Sequence, residues 1–453
     1  MNHKYSVGFG RVDVSPTEPV PLGGYGNTDK RISQGVLDPL MATCIAMEDA
    51  SGNTMMLYTV DQLLTFDFWW KPVVAAVSEK YGISKDAIAI CSTHTHSAPD
   101  INQPKCPSSK RYLDYLIEKM LEAADLAMAD RKPASLSYGQ SKAEGLTFVR
   151  HYILENGTYA GPNFGDFTSS PIRCPVSETD RQIQLIRIDR EGGKPILLVN
   201  WQCHAFMASA SVTEYGKKNR PYASADFVGG CRDYIEKETD FLFAFFQGAS
   251  GNLSTFNRED PASVPEGNEA YGKALGQYVL AGLDTLVPME TGTIAAKRVV
   301  HDGEADHTQD HLAPQAQAIY DCWLQENNYQ KCAEMGKPYD INGPFHASGI
   351  LRKARSAERI QMEVGAGAIG DIGFVFLPYE AFDTNGVYIK EHSPYKMTFI
   401  LTSTNGWNTY IPSALGFTYN SYEHNACSHA PGTGEDVADL VVSTLENLHN
   451  TTN

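Results

Sequence analysis

The chain has no CxxC pair, no apolar leader at its start, no apolar run of about 18 residues and no excess of basic residues. Each absence removes a class of function. Nine cysteines stand apart at Cys44, Cys91, Cys106, Cys174, Cys203, Cys231, Cys322, Cys332 and Cys427. Without paired spacing they indicate neither a zinc knuckle nor a disulfide framework, and reduced thiols are their simplest state. The opening MNHKYSVGFGRVDVSP lacks the apolar core of a secretory signal, so the expectation is a soluble, cytoplasmic protein with no stable membrane anchor. With 37 Lys and Arg against 54 Asp and Glu, the formal charge of −17 argues against a nucleic-acid partner and against docking on anionic membranes. A small-molecule substrate suits this balance. Oligomeric state is left open, and a homo-oligomer is compatible with everything above.

No internal repeat or low-complexity tract interrupts the 453 residues, of which 42% are hydrophobic and 20% charged. Such a chain supports a sizeable core. Apolar runs and turn signals alternate along it. The runs YSVGFGRVDVSP, LMATCIAME and TMMLYTVD read as strands, FDFWWKPVVAAVSEKYG as a helix stopping at a glycine, and AIAICSTHTH as a returning strand. Strand, helix, strand implies a parallel crossover, with functional groups at carboxyl ends of strands. KRYLDYLIEKMLEAADLAMAD, DFVGGCRDYIEKET and GNEAYGKALGQYVLAGLDTL have helical spacing. QDHLAPQAQAIYDCWLQENNYQKCAEMG is also helical, with its proline marking the expected break. The long irregular stretch 148–180 is expected to be a binding or lid element. The fold class that follows is α/β: a single large mixed-sheet domain over residues 1–453, with flanking helices and the site at strand ends.

Polar groups recur just after buried runs. His94 and His96 follow AIAIC, His204 follows LLVNWQC, the turn Gly248–Ser254 follows FLFAFF, Glu380 follows FVFLPY, and the segment from Asn405 to Tyr410 follows TFILTS. In an extended backbone residues two apart face one way, so the imidazoles of His94 and His96 share a side. Two histidines and a carboxylate suffice for a catalytic zinc that keeps a position open for water. Spacing alone leaves His204 open as a core histidine behind Trp201, and Glu380 as a helix-start acid. Gly248 and Gly251 permit backbone amides to face a substrate oxygen, and Ser254 is either a hydrogen-bonding or nucleophilic serine or a turn cap. No G-x-S-x-G elbow occurs there. Arg150 has the fork to grip a carboxylate or hydroxyl, or simply pins its loop.

Taken in order, VGFGRVDVSP, PLGGYG, STHTHSAPD, VNWQCHA, SADFVGG, FFQGASGNLS, FLPYE, NGWNTYIPS with YNSYE, and APGTGEDVADLVVSTLENL resemble blocks of the catalytic domain of neutral, non-lysosomal ceramidases. That resemblance implies one zinc per chain, held by His94, His204, Glu380 and Tyr410. It implies His96 as a proton-handling group, Ser254 and Tyr410 in catalysis, and Arg150, Gly251 and Asn252 on the substrate. Thr93 and Ser97 are the expected orienters of the imidazoles. The implied reaction is metal-assisted hydrolysis of an N-acyl linkage, ceramide-like or another acyl amide. Ala98 stands where the family has glycine, Trp407 where it has the first of two tyrosines, and Thr255 where it has proline. The family's secretion signal and C-terminal β-sandwich domain have no counterpart in these residues. Cleavage of an ester or a cyclic amide at the same site, or ligand binding without turnover, are the alternatives.

Overall fold

The computed structural model describes residues 4–25, 31–103, 105–162, 164–208, 221–290 and 292–452. A large mixed sheet is built from β1 (Tyr5–Asp13), β2 (Met41–Asp49), β3 (Thr54–Val60), β4 (Ile88–Ser92), β5 (Lys132–Lys142), β6 (Gln182–Arg190), β7 (Ile196–Trp201) and β8 (Leu242–Gln247). Their spatial order is β8-β7-β6-β5-β1-β2-β3-β4, with a short ninth strand, Val287–Pro288, paired to β5. Only the outermost pairs, β3 with β4 and β7 with β8, are parallel. Each encloses a helix, α1 (Asp67–Tyr81) in the first and α3 (Asp226–Glu238) in the second, as the expected crossover requires.

One face of this sheet packs on helices. Val73, Val74 and Val77 of α1 and Leu116, Met120 and Ala123 of α2 (Pro107–Ala129) cover β1 to β4, while Phe227 and Cys231 of α3 and Leu275 and Val279 of α4 (Asn268–Ala281) cover β7 and β8. The other face meets a second, four-stranded sheet that sequence patterning does not reveal. It comprises β9 (Ile294–Glu304), β10 (Arg359–Ile369), β11 (Ile372–Phe376) and β12 (Met397–Leu401). Val7, Ile45, Leu57, Leu198 and Phe246 from the first sheet pack there against Phe374, Phe376 and Phe399 from the second. Helix α10 (Thr433–Thr452) seals the outer face of the small sheet through Val437, Val441 and Leu445. The layers run helix, sheet, sheet, helix.

β9 and β10 form an eleven-residue antiparallel ladder whose connection, 305–358, is helical: α5 (Ala313–Glu326), α6 (Tyr329–Gly336) and α7 (Pro344–Ala354). The break in the expected 309–336 helix falls at Asn327, which takes a left-handed φ of 50°, and not at Pro314. Proline in the first turn has no intrahelical N–H to lose and is tolerated there. The stretch 148–180 holds short strand pairs around Tyr152–Leu154 instead of a structureless loop. The apolar run ahead of the Asn405–Tyr410 segment forms β12, which ends at Leu401, and the residues after it run irregularly to a two-residue strand, Tyr410–Ile411. Among the described residues no helix is long and apolar enough to cross a membrane.

Two features bring the strand ends together. Thr59 on β3 donates its hydroxyl to Phe245 O on β8, so the two margins of the large sheet curl toward each other. Two buried asparagines then stitch the sheets at this seam. Asn200 donates to Phe246 O at 3.0 Å and Ile400 O at 2.9 Å and accepts from Ile400 N at 3.0 Å. Asn405 accepts from Ile90 N at 2.7 Å and donates to Ile88 O at 2.8 Å. Each amide side chain substitutes for a missing strand neighbour, satisfying backbone groups that burial would otherwise leave unpaired.

Candidate metal centre

β4 stops at Ser92, and His94 turns the chain with a φ of 63°, a conformation that costs a non-glycine residue about 1–3 kcal/mol. A bridge between Thr95 and Ala205 then draws this turn beside the one carrying His204. The ring centroids of His94 and His204 lie 4.8 Å apart, although β4 and β7 are far from each other in the order of the sheet. Glu380 enters from the second sheet after β11. Its two-residue strand pairs in parallel with Tyr410–Ile411, which places Glu380 beside Tyr410.

The imidazoles are oriented by main chain. His94 Nδ1–H donates to Leu63 O at 2.9 Å and His204 Nδ1–H to Ser250 O at 2.8 Å. Thr93 and Ser97, the expected orienters, do not serve: Thr93 Oγ1 donates to Asp61 at 3.2 Å, and Ser97 Oγ is buried without a hydrogen-bond partner. Carbonyl acceptance fixes the proton on Nδ1 and leaves each Nε2 with a lone pair. Both Nε2 atoms face one carboxylate oxygen, Glu380 Oε2, at 3.2 Å from His94 and 3.3 Å from His204. The Tyr410 hydroxyl stands 3.4 Å from His204 Nε2. Lone pairs aimed at a buried carboxylate oxygen repel unless a cation lies between them. Ligands at about 2.0–2.1 Å around a tetrahedral zinc are separated by about 3.3 Å, the size of the His94–Glu380, His204–Glu380 and His204–Tyr410 separations of 3.2, 3.3 and 3.4 Å.

His96 stands beside this group. Its two ring nitrogens are buried and unpartnered, and one ring nitrogen from each of His94, His96 and His204 lies within 4.8 Å of the others. Burial, and then the neighbouring His94 and His204, hold the His96 imidazole well below its ordinary pKa, in the neutral form. Burial and Arg150 likewise lower His204, to about 4. Burial and the charge of Glu380 push the Tyr410 phenol up. Trp407, in the position where the resembled block has a tyrosine, brings its indole Nε1 to 3.5 Å from the second Glu380 oxygen.

Gly24 explains part of the PLGGYG block. Its φ is +99°, and a Cβ there would lie 2.7 Å from His96 Cγ and Nδ1. Arg31 clasps the same segment, donating to Gly23 O at 2.6 Å and to His96 O at 3.0 Å. Gly24→Ala is expected to displace the His96 ring and to cost about 1–3 kcal/mol of stability, read from the denaturant midpoint.

The Gly248 and Gly251 amides, which the sequence suggested for a substrate oxygen, are used within the fold. Gly248 N donates to Trp201 O at 2.8 Å and Gly251 N to Ala381 O at 2.7 Å. Gly251 instead permits close approach to the Glu380 strand, since a Cβ there would meet Glu380 O at 2.6 Å. Asn252 is engaged with Asp383, donating to its carboxylate at 2.7 Å and accepting from its amide at 2.8 Å. Ser254 is buried, and its Oγ accepts from Phe256 N at 3.0 Å, as a turn cap does. Arg150 is inside the site. Its Nη2 donates to Gly251 O at 2.7 Å and stands 3.5 Å from the Tyr410 hydroxyl.

Sequence reasoning missed the other side of Arg150. Glu423, on the short helix α9 (Tyr422–Ala426), pairs with Arg150 at 2.5 Å and has His151 Nε2 3.3 Å from its second oxygen. Tyr422 packs on Tyr410 with ring centroids 5.6 Å apart. The only sequence signal was an acid in an otherwise aromatic and polar block, YNSYE. Burial opposes ionisation of Glu423, yet His151 and Arg150 lower its pKa to about 2. A lowered carboxyl stabilises the fold above its unfolded pKa and loses that contribution as pH falls through the folded value. Unfolding free energy is therefore expected to fall more steeply from about pH 4.5 to pH 2 in the parent than in Glu423→Gln, as followed by denaturant titration.

No protein-family model and no curated protein matches the chain. Solved structures do. The neutral ceramidase from Pseudomonas aeruginosa superposes with a TM-score of 0.73 at 15% sequence identity, over 100% of this chain and 75% of that one. A ceramidase complexed with C2 also gives 0.73 at 15% identity, over 99% and 76%. The chain therefore has the fold of these enzymes, which agrees with the ordered motif resemblance.

Proposed function

We infer that the chain is a zinc-dependent amidohydrolase of the neutral ceramidase kind, cleaving the N-acyl linkage of a small acyl amide. The observation that carries this is that His94 Nε2 and His204 Nε2 both face Glu380 Oε2, with the Tyr410 hydroxyl 3.4 Å from His204 Nε2. His94, His204, Glu380 and Tyr410 would hold the ion. When bound, zinc polarises the scissile carbonyl and makes water a competent nucleophile near neutral pH. His96, kept neutral by its surroundings, takes or returns a proton at a free ring nitrogen. Tyr410, which Arg150 Nη2 approaches at 3.5 Å, presents its hydroxyl where charge develops on the carbonyl oxygen. Gly251, Asn252 and Ser254 support the wall of the site through the turn they build, and the Ser254 hydroxyl can still donate while its oxygen accepts from Phe256 N.

The ceramidase fold supports the amide linkage as the bond cleaved, and ceramide or another N-acyl compound as its source. The test is elemental analysis of the purified protein, followed by a hydrolysis panel containing a short-chain ceramide, simple N-acyl amides and the matching esters. About one zinc per chain with amide turnover is the expected result. A folded protein that refuses zinc, or one that turns over only esters, overturns the reading.

A further inference from the structure

Arg150 and Glu423 form an ion pair between side chains 13% and 0% exposed. Glu423 is anchored from behind by His151, whose Nδ1 lies 2.5 Å from the Tyr159 hydroxyl. Without Glu423 the guanidinium would carry an uncancelled positive charge into the pocket. Such a group in low dielectric recruits an anion strongly, because nothing else offsets its desolvation. With Glu423 in place the charge is matched, and the Nη2 that pairs with it also donates to Gly251 O at 2.7 Å and lies 3.5 Å from the Tyr410 hydroxyl.

We propose that Glu423 sets the charge selectivity of the site: by cancelling Arg150 it admits acyl amides that are uncharged on the amine side and disfavours N-acyl amino acids. A carboxylate approaching Arg150 must come within reach of a second, buried carboxylate, and like charges so placed repel. The guanidinium then acts as an orienting group for Tyr410 and not as an anion receptor. This rests on the acyl-amide reading above.

The test compares N-hexanoylethanolamine with N-hexanoylglycine on the purified full chain with its metal. kcat/KM is read for both, and dissociation constants by calorimetry if neither is turned over. The parent is expected to favour the neutral compound by about tenfold or more. Glu423→Gln is expected to shift the ratio toward N-hexanoylglycine by about tenfold or more, chiefly through KM or Kd, and the double variant Arg150→Met with Glu423→Gln is expected to erase that gain. An unchanged ratio in Glu423→Gln, or a gain that persists without Arg150, overturns the proposal. If Glu423→Gln does not fold, the parent decides: equal or better binding of N-hexanoylglycine overturns it. A parent that binds both amides but cleaves none defeats the hydrolase reading and leaves the binding ratio to judge Glu423.

Discussion

His204→Ala is expected to lose the metal and to lower acyl-amide hydrolysis by roughly a thousandfold or more, with the fold retained. His204 is fully buried, yet its Nδ1 is held by a single carbonyl, Ser250 O, and its Nε2 faces Glu380 and Tyr410. Truncation removes one of the nitrogen donors and leaves Glu380 facing His94 alone. Metal content by elemental analysis and circular dichroism of the same sample check the result. A variant that keeps about one zinc per chain would show that His94, His96 and Glu380 suffice to bind it, and would assign His204 to the reaction only.

The second large effect lies away from the centre. Lys353→Ala is expected to destabilise the protein by about 3–5 kcal/mol, because it leaves Asp306 as an unpaired buried charge. The pair is 2.7 Å long between side chains 2% and 3% exposed, and it closes the helical insertion at its base. Denaturant midpoints measure the loss. Replacing both partners by apolar residues of similar volume, Lys353→Met with Asp306→Leu, is expected to recover most of it, since the cost comes from breaking the pair and not from lacking one. Activity should fall with stability in the single variant. α7 carries Phe345 against Tyr422, with ring centroids 6.3 Å apart, and Arg352 donates to Ser428 Oγ at 3.0 Å, so this helix backs the segment that presents Glu423. Asp306 is held below its usual range, with Lys353 overcoming the effect of burial. The pair therefore contributes above the unfolded pKa of an aspartate and weakens as pH falls through the folded value.

Local pattern and tertiary context contributed differently to what could be read. The strand, helix, strand unit ending in STHTH was legible because burial of a parallel strand demands a continuous apolar run, and the polar residues after it mark the strand's carboxyl end. The same signal marked His204, Glu380 and the Asn405–Tyr410 segment, within which the family resemblance pointed to Tyr410. Orientation was not legible. Leu63 O and Ser250 O, which fix the imidazoles, are main-chain atoms that every residue possesses, so no side-chain pattern announces them. The expected amide donors at Gly248 and Gly251 failed for a related reason: a glycine permits close approach, and only the neighbouring chain decides whether the N–H is used up by it.

By itself the sequence determined many of the strands and helices, which polar groups stand at their ends, and that the chemistry available there is imidazole, carboxylate and phenol. Those follow from residue type and from periods of two and 3.6, which are properties of a few neighbouring residues. Only the tertiary structure decided that margins separated by the width of an eight-strand path curl together, that a second sheet delivers Glu380 between the histidines, and that Glu423 cancels Arg150. Convergence depends on how two sheets pack and twist against each other, a sum over contacts between residues hundreds of positions apart, and no local pattern encodes that sum.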